Sequence, residues 1–187
     1  MKEESFNHPG REDETRRGLV EIYTGEGKGK TTAALGTAIR ALGHGLRVYI
    51  AFFLKGDYPY GERNILSHLP NVTFASFGTL NFIDPEHITE EERREAALAL
   101  EAARQAIMSG EYELVIMDEI NLAVHWKLIS LEEVVKLIKD KPEKVELILT
   151  GRYADEKLIR LADLVTECLS IKHPYDAGIQ ARPGIEY

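Results

Sequence analysis

Short apolar runs along this chain alternate with stretches whose apolar positions recur every three to four residues. Gly18 to Tyr23 (GLVEIY), Arg47 to Leu54 (RVYIAFFL), Val72 to Phe77 (VTFASF), Glu113 to Met117 (ELVIM), Val145 to Leu149 (VELIL) and Leu164 to Ile171 read as strands. Between them lie helical patterns. One helix begins near Lys30 and carries the small residues Ala33, Ala34, Thr37, Ala38 and Ala41, which let it pack close to a sheet. A short helix is expected around Asn64 to Leu69. Thr89 with Glu92 three residues on forms a capping box at the head of a long helix, with Ala96, Leu100, Ala103 and Ile107 on one face. Ser130 with Glu133 marks another start by the same logic, and Asp155 to Ala162 a last helix. The alternation predicts an α/β fold, a mostly parallel sheet with helices on both faces. It forms a single domain over residues 18–187, preceded by a polar arm over residues 1–17 that is too hydrophilic to build core. The tail from His173 to Tyr187 has no regular period.

Composition narrows the function classes. Apolar residues make up 44% and charged residues 29% of the 187, and no apolar run approaches the roughly 20 residues of a membrane span. The net charge of −8 repels a polyanion, and no Lys/Arg cluster marks a nucleic-acid groove, so neither membrane nor nucleic acid is an expected partner. The first residues lack the apolar core of a signal peptide, which points to the cytoplasm. One cysteine, Cys168, excludes an intrachain disulfide framework and reads as a buried structural thiol.

The chemistry is concentrated in YTGEGKGKTT, residues 23–32. A strand that feeds a glycine-rich loop and then a helix turns backbone N–H groups and the positive helix end toward an anion. Gly25, Gly27 and Gly29 permit the tight loop, Lys30 neutralises phosphate charge, and Thr31 offers a hydroxyl to magnesium. The usual spacing of a phosphate loop would put a first glycine where this chain has Thr24. The partner of such a loop is an acidic residue at the end of a neighbouring strand, here Asp118 and Glu119 after ELVIM. Together they predict a magnesium–nucleotide site of the P-loop NTPase-like (RecA-like) kind. ATPases, nucleotide kinases and RecA-like motors all share these two motifs, so the reaction stays open at this level.

Further blocks are more specific. TGEGKGKTTAALGTAIRALGHG, FLKGDYPYGERNIL, VIMDEINLAVHWKLISLEEVV, LTGRYADEKLIRLADLVTE and KHPYDAGIQARPGIEY, in that order, resemble the P-loop type ATP:corrinoid adenosyltransferases over residues 18–187. That family's loop is itself the shortened form with Thr in the first glycine's place. The resemblance implies that Co(I) of a reduced corrinoid attacks the 5′-carbon of ATP and that triphosphate leaves. It assigns Gly25, Glu26, Gly27, Lys28, Gly29, Lys30, Thr31 and Thr32 to the triphosphate, and Thr31, Asp118 and Glu119 to magnesium, Asp118 through water. Lys55, Glu62, Arg63 and Arg152 should border the nucleotide. Where many relatives have Phe and Trp in a Gly-Phe-Thr-Trp stretch to displace the axial ligand of cobalt, this chain has Phe77-Gly-Thr-Leu-Asn-Phe82 and no Trp. Phe82 is the expected wedge, Phe77 the second choice, and Trp126 a packing residue. A homodimer and a flavoprotein reductase as electron source are also implied.

Overall fold

The computed structural model describes residues 17–79 and 83–187. Six parallel strands, β1 (Val20–Thr24), β2 (Val48–Phe52), β3 (Val72–Ser76), β4 (Leu114–Asp118), β5 (Glu146–Thr150) and β6 (Leu164–Glu167), lie in the order β3-β2-β4-β5-β1-β6. Parallel neighbours require crossovers, and helices supply them on both faces. Along β4 the side chains alternate between two cores. Leu114 and Ile116 face α1 (Lys30–Gly43) and α2 (Gly61–Leu66), where Ala34, Ala38 and Ala41 bring α1 against the sheet. Val115 and Met117 face the other side, packed by α3 (Glu90–Met108), α4 (Ile120–His125), α5 (Leu131–Asp140) and α6 (Glu156–Leu161). With both faces covered, β4 is buried at every position, as its continuous apolar run requires.

The capping box of α3 is present as the sequence predicts: Glu92 N–H donates to Thr89 Oγ1 at 3.2 Å, and Thr89 N–H to Glu92 Oε2 at 2.7 Å. At α5 the helix begins after Ser130, but the serine hydroxyl makes no cap bond. The Glu133 N–H is taken by the Ser130 carbonyl instead, at 3.2 Å. α2 starts three residues earlier than the Asn64 expected, and α4 is an additional short helix. Trp126 is half-buried against the core on the α3 side, in keeping with a packing role.

The last strand ends at Glu167, short of Ile171, because the backbone beyond it serves the glycine loop. The Cys168 N–H donates to the Thr24 carbonyl at 2.8 Å, and the Cys168 carbonyl accepts from Gly27 N–H at 2.7 Å. Cys168 is accordingly half-buried and free, not the buried thiol expected. β6 forms a sheet edge with all four residues exposed. Leu147→Ala, in the fully buried centre of β5, should therefore cost about 2–5 kcal/mol in chemical denaturation, whereas Ile171→Ala, at a position 93% exposed, should change stability by less than about 0.5 kcal/mol.

Candidate active site

β1 delivers the chain to the carboxyl edge of the sheet, where crevices of parallel α/β sheets bind ligands. Thr24 still belongs to the strand, and its Oγ1 accepts from the Ala154 N–H at 3.2 Å, so a glycine is not needed there. The turn proper starts with Gly25, whose φ of 95° favours glycine. A Cβ at Gly25 would lie 2.5 Å from the Cys168 carbonyl oxygen, and one at Gly27 2.6 Å from that of Leu169. The loop is thus braced by close backbone contact with the segment after β6. Lys30 curls back over it, donating to the carbonyls of Gly25 at 2.8 Å and Gly27 at 2.7 Å. Desolvation pushes its pKa down, against the opposing charge of Glu119.

Asp118, fully buried at the end of β4, ties this loop to two other elements. Its Oδ1 accepts from the Thr31 hydroxyl at 2.9 Å and from the Thr150 hydroxyl at 2.6 Å, while Oδ2 pairs with the Lys55 ammonium at 2.5 Å. Burial alone would lower the Lys55 pKa; the Asp118 charge and hydrogen bond outweigh it and hold the pKa up. Glu119 follows in the left-handed region at φ 68°, its N–H donating to Thr150 Oγ1 at 2.9 Å. Its carboxylate has no hydrogen-bond or ion-pair partner among the described residues. Desolvation, then the neighbouring Asp118, push its pKa up.

The other expected residues divide into two groups. Glu62 and Arg63 sit on α2 beside Lys55, and both the Arg63 guanidinium and the Lys55 ammonium lie over the rings of Phe52 and Tyr60 at 4.9–5.4 Å. Arg63 Nη1 donates to the Gly56 carbonyl at 2.7 Å, whereas its buried Nε and Nη2 have no partner among the described residues. Glu26 and Arg152 are exposed on the far side of the loop and pair with each other at 3.4 Å. Thr32 is exposed at the start of α1. Phe77 is half-buried, and its carbonyl accepts from the Lys55 N–H at 3.0 Å; Phe82 lies outside the described residues. The tail folds back to this site: Glu186 Oε1 accepts from the Lys28 ammonium at 2.6 Å, and Arg182 also binds the carboxylate, so its pKa is pulled down to about 2 by hydrogen bonds from Arg182 and Lys28.

Comparison with known proteins decides between the reactions that share such a loop. The family described as ATP:corrinoid adenosyltransferase BtuR/CobO/CobP matches residues 16–187. The chain belongs to that family. It is 37% identical over 171 residues to the corrinoid adenosyltransferase of Escherichia coli K12, covering 91% of this chain and 86% of the relative. The corrinoid adenosyltransferase CobA of Salmonella typhimurium is 36% identical with the same coverage, and that of a Sinorhizobium species 38% identical over 91% of this chain and 81% of the relative.

In this adenosyltransferase the donor set fits a hard divalent cation. Thr31 and Glu119 are oxygen donors, and Glu119 is a carboxylate lacking a counter-charge at hydrogen-bond range. Asp118 has both oxygens engaged, which suits a residue that orients the Thr31 hydroxyl. Sequence reasoning missed Thr150, Tyr60 and Glu186. Only proximity in the fold identifies Thr150 and Glu186; Tyr60 lies inside the FLKGDYPYGERN block and was the most visible of the three.

The raised Glu119 pKa has a measurable consequence. Relative to an unfolded value of about 4.3, the folded state holds the proton to higher pH, so ionised Glu119 costs stability that is absent below that value and grows as pH rises toward the folded pKa. Metal-free Glu119→Gln should melt above the wild type at pH 7–8, with the gap narrowing toward pH 4, and magnesium nucleotide should raise the Tm of the wild type more than that of the variant. A gap of constant size across this range would show that ionising Glu119 is without cost.

Proposed function

We propose that the enzyme transfers the 5′-deoxyadenosyl group of ATP to the Co(I) of a reduced corrinoid, in adenosylcobalamin biosynthesis or salvage. The observation that carries this reading is the convergence of the loop, Lys30, Thr31, Asp118 and Glu119 at one sheet edge in a chain of this family. Cobalt supplies an electron pair to the 5′-carbon, the bond from that carbon to the ester oxygen breaks, and the pair leaves with triphosphate. The group that needs stabilising is therefore an oligophosphate, and the residues at hand are suited to it. On this reading Gly25 to Thr32 hold the triphosphate by backbone N–H groups, and Lys30 leaves its two loop carbonyls for phosphate oxygens. Its pKa is lowered by desolvation, against the charge of Glu119, and a bound phosphate's negative charge opposes that shift. Magnesium, when bound through Thr31 and Glu119, neutralises charge on the leaving group. Lys55 holds Asp118 in place through their ion pair, and Arg152 exchanges Glu26 for substrate.

Phe82, with Phe77 as the second candidate, serves as the apolar wedge that clears an axial ligand from cobalt. Electrons come from a flavoprotein reductase. The enzyme acts as a homodimer in the cytoplasm, and neither membrane nor nucleic acid takes part; among the described residues no helix is long and apolar enough to cross a membrane.

The test is anaerobic turnover of MgATP with chemically reduced cobalamin. A light-sensitive adenosyl-corrinoid together with tripolyphosphate is expected, and Lys30→Ala should abolish both while leaving the circular-dichroism spectrum unchanged. ADP with orthophosphate and no spectral change of the corrinoid would mean that the loop serves an ATPase.

A further inference from the structure

β5 lies between the strand that feeds the glycine loop and the strand that ends in Asp118, and its own last residue is Thr150. Tyr23 is opposite Thr150 in one parallel register and Met117 opposite Leu149 in the other, which sets Asp118 level with Thr150. Ile116 and Ile148 both pack on the α1 side. Side chains alternate along a strand, so Asp118 and Thr150, two residues further on, share that face, the one from which Thr31 approaches. Thr150 has no exposed surface. A valine of nearly the same shape would extend the apolar run before it, whereas a buried hydroxyl costs free energy unless it is bonded. Here it is bonded twice. Its single proton goes to Asp118 Oδ1 at 2.6 Å, and a lone pair accepts the Glu119 N–H at 2.9 Å. The second bond falls on a residue at φ 68°, a conformation that persists for a non-glycine residue only where its surroundings enforce it. The start of α4 is fitted to the same turn: buried Asn121 donates from Nδ2 to the Gly151 carbonyl at 3.3 Å, and a Cβ on Gly151 would come within 3.0 Å of the Leu122 nitrogen. On the other side, Gly151 N–H donates to the Tyr23 carbonyl at 3.2 Å. The end of β5 thus fixes the acidic turn relative to the strand of the phosphate loop.

We propose that Thr150 is a positioning residue for the divalent cation: by holding the Glu119 N–H it keeps the Glu119 carboxylate ready for a metal that it shares with Thr31 and substrate phosphate. The assignment rests on the reading that magnesium binds through Thr31 and Glu119. Thr31 also gives its proton to Asp118, at 2.9 Å, so one carboxylate orients both hydroxyls and the Thr31 lone pairs stay available to a cation. Deleting the Thr150 hydroxyl strands the Glu119 N–H and releases the acidic turn, while Asp118 keeps Thr31 and Lys55. The glycine loop keeps its own bracing, from Lys30 and from the Cys168 carbonyl. The loss therefore falls on the metal rather than on the phosphate loop. Groups that orient a metal ligand in this way typically contribute about 10–100-fold in metal affinity.

The experiment is calorimetric titration of ATP, without corrinoid, once in chelator and once in saturating magnesium, with manganese binding to the ATP complex followed by electron paramagnetic resonance. Magnesium should strengthen ATP binding by the wild type. Thr150→Val should cut that enhancement, and the manganese affinity, by about tenfold or more while changing metal-free ATP affinity less than about threefold, and Thr150→Ser, which keeps the hydroxyl, should restore both. In a Glu119→Gln background Thr150→Val should cost no further metal affinity, because the two act through one group. Where the valine variant does not fold, Thr150→Ala against Thr150→Ser makes the same comparison, since both lack the methyl and differ only in the hydroxyl. Wild-type metal affinity without the hydroxyl, equal losses with and without magnesium, a serine variant as weak as the valine or alanine one, or losses that add in the double variant would each overturn the assignment. A wild type whose ATP binding is indifferent to magnesium would defeat the metal reading itself, and the role of Thr150 with it.

Discussion

One buried carboxylate organises the carboxyl edge of the sheet. Asp118 has neither exposed surface nor a free oxygen, and its partners come from three separate stretches: Thr31 at the start of α1, Thr150 at the end of β5, and Lys55 after β2. Removing one member of a buried, hydrogen-bonded ion pair typically costs about 3–5 kcal/mol, because the remaining charge is stranded. The same bonds fix the Thr31 hydroxyl and the Lys55 ammonium relative to the glycine loop. The packing of this edge and the placement of the Thr31 and Lys55 side chains therefore depend on the same atoms.

Around that hub the site carries imbalances that a purely structural edge would avoid. Among the described residues, Glu119 is held in a left-handed conformation with an unpaired carboxylate, Lys30 directs its donors to loop carbonyls, and Arg63 buries two nitrogens without partners. Strain and unsatisfied polar groups of this kind concentrate where a ligand completes the arrangement. The close packing of the glycine loop on Cys168 and Leu169 adds the constraint that sets its composition, since any side chain at Gly25 or Gly27 would meet backbone oxygen. β6 is short and exposed partly because its continuation is committed to this bracing.

Much of this architecture was legible in the sequence. The strand–loop–helix of residues 18–43 and the acidic end of β4 announce themselves by local pattern, and the α3 capping box follows from two residues three apart. Helix and strand ends were less legible where long-range contacts decide them, as at β6, whose end is set by a hydrogen bond to Gly27. The backbone carbonyl of Ser130 took the bond that the sequence assigned to its side chain. Thr150 and Glu186 are separated from their partners by 32 and 158 residues, so no spacing rule links them. Lys30, Thr31, Lys55 and Asp118 converge as the motifs imply, whereas Arg152 and Glu26 lie together on the outer side, paired with each other.

The central claim is that the bond broken lies at the ribose carbon, with all three phosphates leaving together. The most direct measurement uses ATP labelled with ¹⁸O at the oxygen joining the 5′-carbon to the α-phosphorus, turned over anaerobically with Co(I) corrinoid. Recovery of the label in tripolyphosphate, with the 5′-carbon bonded to cobalt, is the predicted result. Label retained by the nucleoside would place the cleavage at phosphorus and contradict the account.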